Sequence, residues 1–158
     1  MSAIIERKIA ARIEGDFVVF LIGMRIKQAL ETTSVVAGGE RDAAELKELE
    51  AAPAELGFLG YTNLGLTALV QYWRSFDQLE AYARARDREH WPAWVDFNLK
   101  MKDSRGDVGI WHETYLVRSG EYEAVYSGMP LVGLARAGQR AEATGEFESA
   151  RGRLGAKV

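Results

Sequence analysis

The chain has 158 residues, 20 basic against 23 acidic, a formal net charge of -3, 47% hydrophobic content and no cysteine. That length suits one domain with a proper core, and the balanced charge gives no electrostatic footprint for nucleic acid or an anionic membrane. The missing cysteines exclude disulfides, thiolate nucleophiles and iron–sulfur clusters, and no apolar run reaches the ~18 residues of a membrane span. Glu6, Arg7, Lys8, Arg12 and Glu14 stand where a signal peptide would be apolar, so a cytoplasmic protein is expected.

Residues 1–15 have no clear period and read as an arm open to pairing with a partner chain; Gly15-Asp16 ends it in a turn. Phe17 to Ile26 is a β-branched and aromatic run whose near-continuous apolarity suits a strand in the middle of a sheet. Gly23 within it points to a bulge or to close approach of another group. Asp42 reads as an N-cap, with Glu45 three residues on, for a helix through Leu46 and Leu49 that Pro53 and Gly57 end. Phe58–Thr62 and Thr67–Trp73 read as a hairpin around Asn63-Leu64-Gly65. Ser75, with Gln78 three residues later, caps the next helix.

Along that helix Leu79, Ala83, Arg86, His90, Trp94, Phe97 and Met101 recur every three or four residues and share one face. Pro92 cannot sit deep inside a straight helix, so a break is expected near Glu89–Trp91, with a second helix starting at Pro92. The strand 109–117 alternates, with Ile110, His112, Thr114 and Leu116 on one face and Trp111, Glu113, Tyr115 and Val117 on the other. Tyr122 to Tyr126 is expected to pair back as a short strand, and residues 135–158 to form a weakly ordered tail behind a single domain of residues 1–134. Strand, helix, strand, strand, helix, strand is the ferredoxin-like split βαβ order, an α+β fold. Such a sheet leaves one face bare, and a chain this apolar is expected to cover it with a second copy as a homodimer.

Two histidines carry the chemical interest. His90, beside Trp91, Trp94 and Phe97, is either a buried imidazole bonded to backbone or the axial ligand of a flat apolar cofactor such as haem, which would make it a metal ligand. His112 is either a sheet histidine bonded to a carboxylate or a general acid or base. Because Glu113 points to the other face, the pair cannot chelate one metal. Arg25 and Arg74 read as surface ion pairs or as anchors for a propionate or substrate oxygen. Tyr72, Trp73, Trp91, Trp94, Trp111 and Tyr115 read first as core.

Leu59-Gly60, Tyr72-Trp73-Arg74-Ser75, the segment His90 to Asn98, Gly109 to Tyr115 and Tyr126 to Pro130 resemble a group of small bacterial proteins (DUF4188) labelled monooxygenase-like. This resemblance implies a dimeric α/β barrel and carries no established activity. A more distant similarity is to the haem-containing aldoxime dehydratases, through Tyr72-Trp73-Arg74-Ser75, Leu79-Glu80-Ala81-Tyr82, and Pro130 to Gly133-Leu134. It implies haem as cofactor, His90 as its proximal ligand, and His112-Glu113 as the distal pair that dehydrates an aldoxime to a nitrile. Trp94, Phe97 and Arg25 would then line the cofactor, and the substrate would be a hydrophobic small molecule. Ser127-Gly128-Met129 departs from the Asn-Cys-His of those enzymes, and they are about twice as long, so a second subunit would supply the other half. A cofactor-free monooxygenase of the antibiotic-biosynthesis type, or a non-catalytic small-molecule-binding protein, are the other readings of the same pocket.

Overall fold

The computed structural model describes residues 4–26, 46–65, 67–87, 91, 95, 99 and 108–155. Strand β3 (Phe17–Ile26) is its centre, as its near-continuous apolar run predicts. It pairs antiparallel on one side with β5 (Ala68–Trp73), from Val18↔Trp73 to Gly23↔Ala68, and on the other with β6 (Val108–Val117), from Phe17↔Val117 to Ile26↔Val108. β4 (Phe58–Asn63) completes a four-stranded sheet of order β4-β5-β3-β6. The two βαβ halves interleave in that order, which is the ferredoxin-like arrangement.

Side chains alternate between the two faces of the sheet. On the first face Val18 and Trp73 meet Leu79 and Tyr82 of helix α1 (Phe76–Arg84) and Leu46 and Leu49 of the helical residues 46–51. On the second face Phe17, Val70 and Tyr72 meet Ile13, Tyr122, Leu134 and Ala137.

Local chemistry sets the ends of the elements. The β4–β5 hairpin closes through the amide of Leu64 donating to the carbonyl of Ala68, 2.8 Å, with Gly65 at φ 85. Gly57 ends a short 3-10 turn (Ala54–Leu56) at φ 81, a conformation other residues adopt at a cost. Ser75 Oγ accepts the Gln78 amide at 3.2 Å, the first bond of the capping box, and the Ser75 hydroxyl in turn donates to Gln78 Oε1 at 2.9 Å.

Helix α1 stops earlier than the apolar stripe implied, at Arg84, where Ala85 is extended (φ -71, ψ 116). Its buried residues are Leu79 and Tyr82, while Ala83 is exposed, so the stripe is rotated by one position. Trp91, Val95 and Leu99 are again helical. Asp42, Pro92 and Met101 lie outside the described residues.

The ends of the chain differ from expectation. The amino-terminal arm pairs with its own chain. β1 (Ile4–Ile5) joins β8 (Met129–Pro130), and β2 (Ile9–Arg12) lies between β7 (Val125–Tyr126) and β9 (Gln139–Glu142). The segment expected to return along 109–117 therefore pairs with β2 instead. The stretch expected as a weakly ordered tail carries α2 (Leu134–Ala137), β9 and α3 (Ala150–Leu154).

The physical reason lies in buried groups the composition hides. Ala135 packs with Ile9 and Ala11, and Arg153 is buried. The Arg153 guanidinium donates to Glu123 Oε2 at 2.7 Å and to the carbonyls of Phe147 and Glu148, each at 2.9 Å.

Candidate functional site

The candidate site begins at the open end of the sheet's first face. Antiparallel partners share a face, so His112 opposite Ile22 and Thr114 opposite Phe20 stand with Val18 and Trp73 on the helix side. The His112 ring lies 5.6 Å from the Phe20 ring, centroid to centroid. Nothing among the described residues seals this end: Ile110, His112, Thr114 and Leu116 are all exposed. An imidazole here has an apolar wall on one side and open space on the other, which suits a proton donor or acceptor for a bound molecule.

One polar residue of this face escaped the sequence reading. Gln71 pairs with Phe20 on one side and Tyr61 on the other, and it is only 5% exposed. Its Oε1 accepts the Trp73 indole N–H at 2.9 Å. The signal was present as a lone amide inside the apolar run Leu69-Val70-Gln71-Tyr72-Trp73.

Glu113 and Arg25 lie on the other face. Glu113 stands opposite Leu21 and accepts the Tyr115 hydroxyl. That hydrogen bond, and then the carboxylate charge, hold the Tyr115 phenol above its ordinary pKa. Arg25 stands opposite Gly109, on the face that carries Gly23 and Trp111. A β-carbon added at Gly23 would come within 2.8 Å of the Trp111 indole, so the glycine is explained by close approach of that ring. Glu113 thus points away from His112, because alternation along a strand separates neighbours, and Arg25 starts from the same face as Glu113.

His90, Trp94 and Phe97 lie outside the described residues. Trp91 packs under the Arg86 guanidinium, 5.3 Å from its ring. Arg74 is used structurally: it donates to the carbonyls of Glu14 and Asp16 and holds the turn before β3. The aromatic residues do not form one cluster, since Trp73 is fully buried and Trp111 and Tyr115 are 43% and 51% exposed on the opposite face.

A second polar knot holds the closing segment. The Gly133 amide donates to Thr62 Oγ1, and the Ala135 amide to the Tyr126 hydroxyl at 3.4 Å. Burial, and then the neighbouring Tyr126, push the Tyr72 phenol up to about 12, against a hydrogen bond from the Leu134 backbone. Among the described residues no three acidic or imidazole groups could hold a bare metal ion, and no helix is long and apolar enough to cross a membrane.

A model of the monooxygenase af470-like family matches residues 17–134. The crystal structure of an aldoxime dehydratase in complex with butyraldoxime superposes with a TM-score of 0.64 at 14% identity, covering 85% of this chain and 41% of that one. A second aldoxime dehydratase superposes with a TM-score of 0.58 at 17% identity, covering 79% and 39%. The chain therefore spans about two fifths of the length of these relatives, and the likeness is one of fold. No curated protein matches the sequence.

Proposed function

The chain belongs to the monooxygenase af470-like family, and we propose that it is a cytoplasmic, haem-binding small-molecule enzyme that dehydrates an aldoxime to a nitrile. The observation that carries this reading is the placement of His112. It stands on the helix-side face of the sheet, against Phe20 and open to a ligand. The likeness of fold to aldoxime dehydratases supports it.

The described residues fit a flat apolar group. Phe20, Ile22 and Ile110 offer a wall, and one imidazole projects from it with no competing metal cluster among the described residues. His90 would hold the iron, with Trp94 and Phe97 beside it. Haem, when bound, supplies an iron centre that weakens the N–O bond of the aldoxime. The chain's own contribution is proton traffic. His112 delivers a proton to the departing hydroxyl and takes one from the aldoxime carbon. The substrate thus loses one water, and the imidazole returns to its starting state.

The test is conversion of butyraldoxime to butyronitrile by hemin-loaded protein. His112→Ala is expected to keep the haem and lose turnover by roughly 10²–10⁴-fold. A variant that turns over at the wild-type rate would remove His112 from the chemistry. The family's description as monooxygenase-like supports a second reading, which we take as a cofactor-free monooxygenase using the same pocket. A colourless protein that consumes oxygen with an electron-rich aromatic substrate would move the conclusion there.

The bare part of the second face is assigned to a second copy. Trp111 and Tyr115 are large, apolar and half exposed there, and a homodimer would bury them. Light scattering at micromolar concentration should give twice the chain mass.

A further inference from the structure

The four-stranded sheet has two edges, and the chain treats them differently. An unpaired strand edge invites pairing with another chain, and folded proteins guard it with bulges, charges, proline or a covering segment. The β4 edge has two such guards. Its pairing with β5 shifts register between Phe58 and Gly60, and α2 wraps round it. Leu134 and Ala137 of α2 pack on the second face beside Tyr72. Arg136, between them, reaches the first face, where its guanidinium lies 5.0 Å from the Tyr61 ring and pairs with Glu50. A β-carbon added at Gly60 would come within 3.2 Å of Ala137, so α2 sits hard against the strand.

The β6 edge carries no such guard. Its ten residues pair with β3 without a register shift, and with no other described strand. It holds no proline, lysine or arginine, and Glu113 is its sole acidic residue. Every residue from Ile110 to Leu116 is exposed. Among them Ile110, Trp111, Tyr115 and Leu116 are large and apolar, and they stand on both faces. A regular apolar edge of this length, about 33 Å at ordinary strand rise, is a template for another strand.

The occupant follows from the asymmetry. With β4 guarded, a second copy has one edge to offer, and that edge can meet only itself, about a two-fold axis. Opposed residues of antiparallel strands share a face, so the axis must pass through one residue of β6. An axis at Glu113 sets two carboxylates opposite each other, which is destabilising. An axis at His112 sets Trp111 against the partner's Glu113. An axis at Thr114 opposes no like charges. It sets Thr114 against the partner's Thr114, Trp111 against the partner's Val117, and Tyr115 against the partner's Glu113.

We infer that β6 is the homodimer contact of this chain, paired antiparallel with the partner's β6 about an axis at Thr114. Two four-stranded sheets then join into one of eight. This rests on the homodimer reading above and does not need haem. The partner also completes the candidate site, because His112 then stands beside the partner's Leu116. Pairing covers the strand edge and the flanks of these side chains, and the first face above His112 stays open to a ligand.

The chain has no cysteine, so a single introduced one reports on its own two-fold mate. Thr114→Cys should oxidise to a disulfide-linked dimer, since opposed residues put their α-carbons about 4.5–5.5 Å apart, within disulfide reach. Asn63→Cys, on the guarded β4 edge, should stay at single-chain mass on the same non-reducing gel, which sets the background from chance collisions. Thr114→Lys opposes two positive charges on the axis and should halve the mass that light scattering gives for the wild-type protein. Should that variant fail to fold, the cysteine result decides. A dimer that cross-links through Glu113→Cys and not through Thr114→Cys would overturn the axis. A wild-type dimer that cross-links through neither, or a Thr114→Lys protein that stays dimeric, would overturn the β6 contact and leave the homodimer reading standing. A wild-type monomer would sink both.

Discussion

The two ends of β3 are built for different purposes. At its start Phe17 and Val18 are sealed on both faces, by Tyr72 and Tyr122 on one and by Trp73, Leu49 and Tyr82 on the other. The Tyr122 hydroxyl accepts the amide of Ile13 and donates to its carbonyl, so the arm before β3 is tied to the same end. At its far end Met24 and Arg25 pair with Ile110 and Gly109, and the neighbouring edge strand is exposed on both faces. One strand thus runs from a closed core into an open site. Stability concentrated at one end leaves the other free to carry an exposed histidine.

Substitutions that target one end sharpen this contrast. Trp73→Ala should give the largest effect. The side chain is 0% exposed at the centre of the closed end, and its loss should cost about 3–5 kcal/mol in a denaturant titration. Arg153→Met, which unties the carboxy-terminal segment from Glu123 and two carbonyls, should cost about 2–3 kcal/mol by the same measurement.

The Tyr72 phenol gives a pH signature of the closed end. Its folded pKa is raised from 10.0 to about 12, so between those values the unfolded chain has released a proton that the folded one still holds. That contribution is fully present below pH 10 and is lost as pH rises toward about 12. Tyr72→Phe should flatten this part of the stability profile. Leu116→Ala should give the smallest effect. The side chain is 73% exposed on the edge strand, and its loss should change stability by no more than about 0.5 kcal/mol. A cost near that of Trp73→Ala would mean that the open end is closed in solution.

The sheet was legible in the sequence because each of its strands has to bury something. The near-continuous apolar run Phe17–Ile26 suited a central strand, and the alternation along 109–117 assigned His112 and Glu113 to opposite faces. The capping box at Ser75 likewise leaves a local mark. What escaped was structure held by backbone pairing. β9 is Gln139–Glu142, exposed at every position, so no apolar period could reveal it. Its partner β2 was read as an arm for a different reason: it is buried at three of four positions, but its pairing with residues more than a hundred positions away has no local signature. In the candidate site His112 was visible as a residue type, whereas the burial of Gln71 and its bond to the Trp73 indole show only in the packing.

The central claim is that the open end holds haem with two histidines in separate roles, and a hemin titration followed at the Soret band tests it most directly. Wild-type protein and His112→Ala should develop the band to the same stoichiometric endpoint, while His90→Ala should not. No band in the wild-type protein, or a band lost in His112→Ala and kept in His90→Ala, would contradict the account.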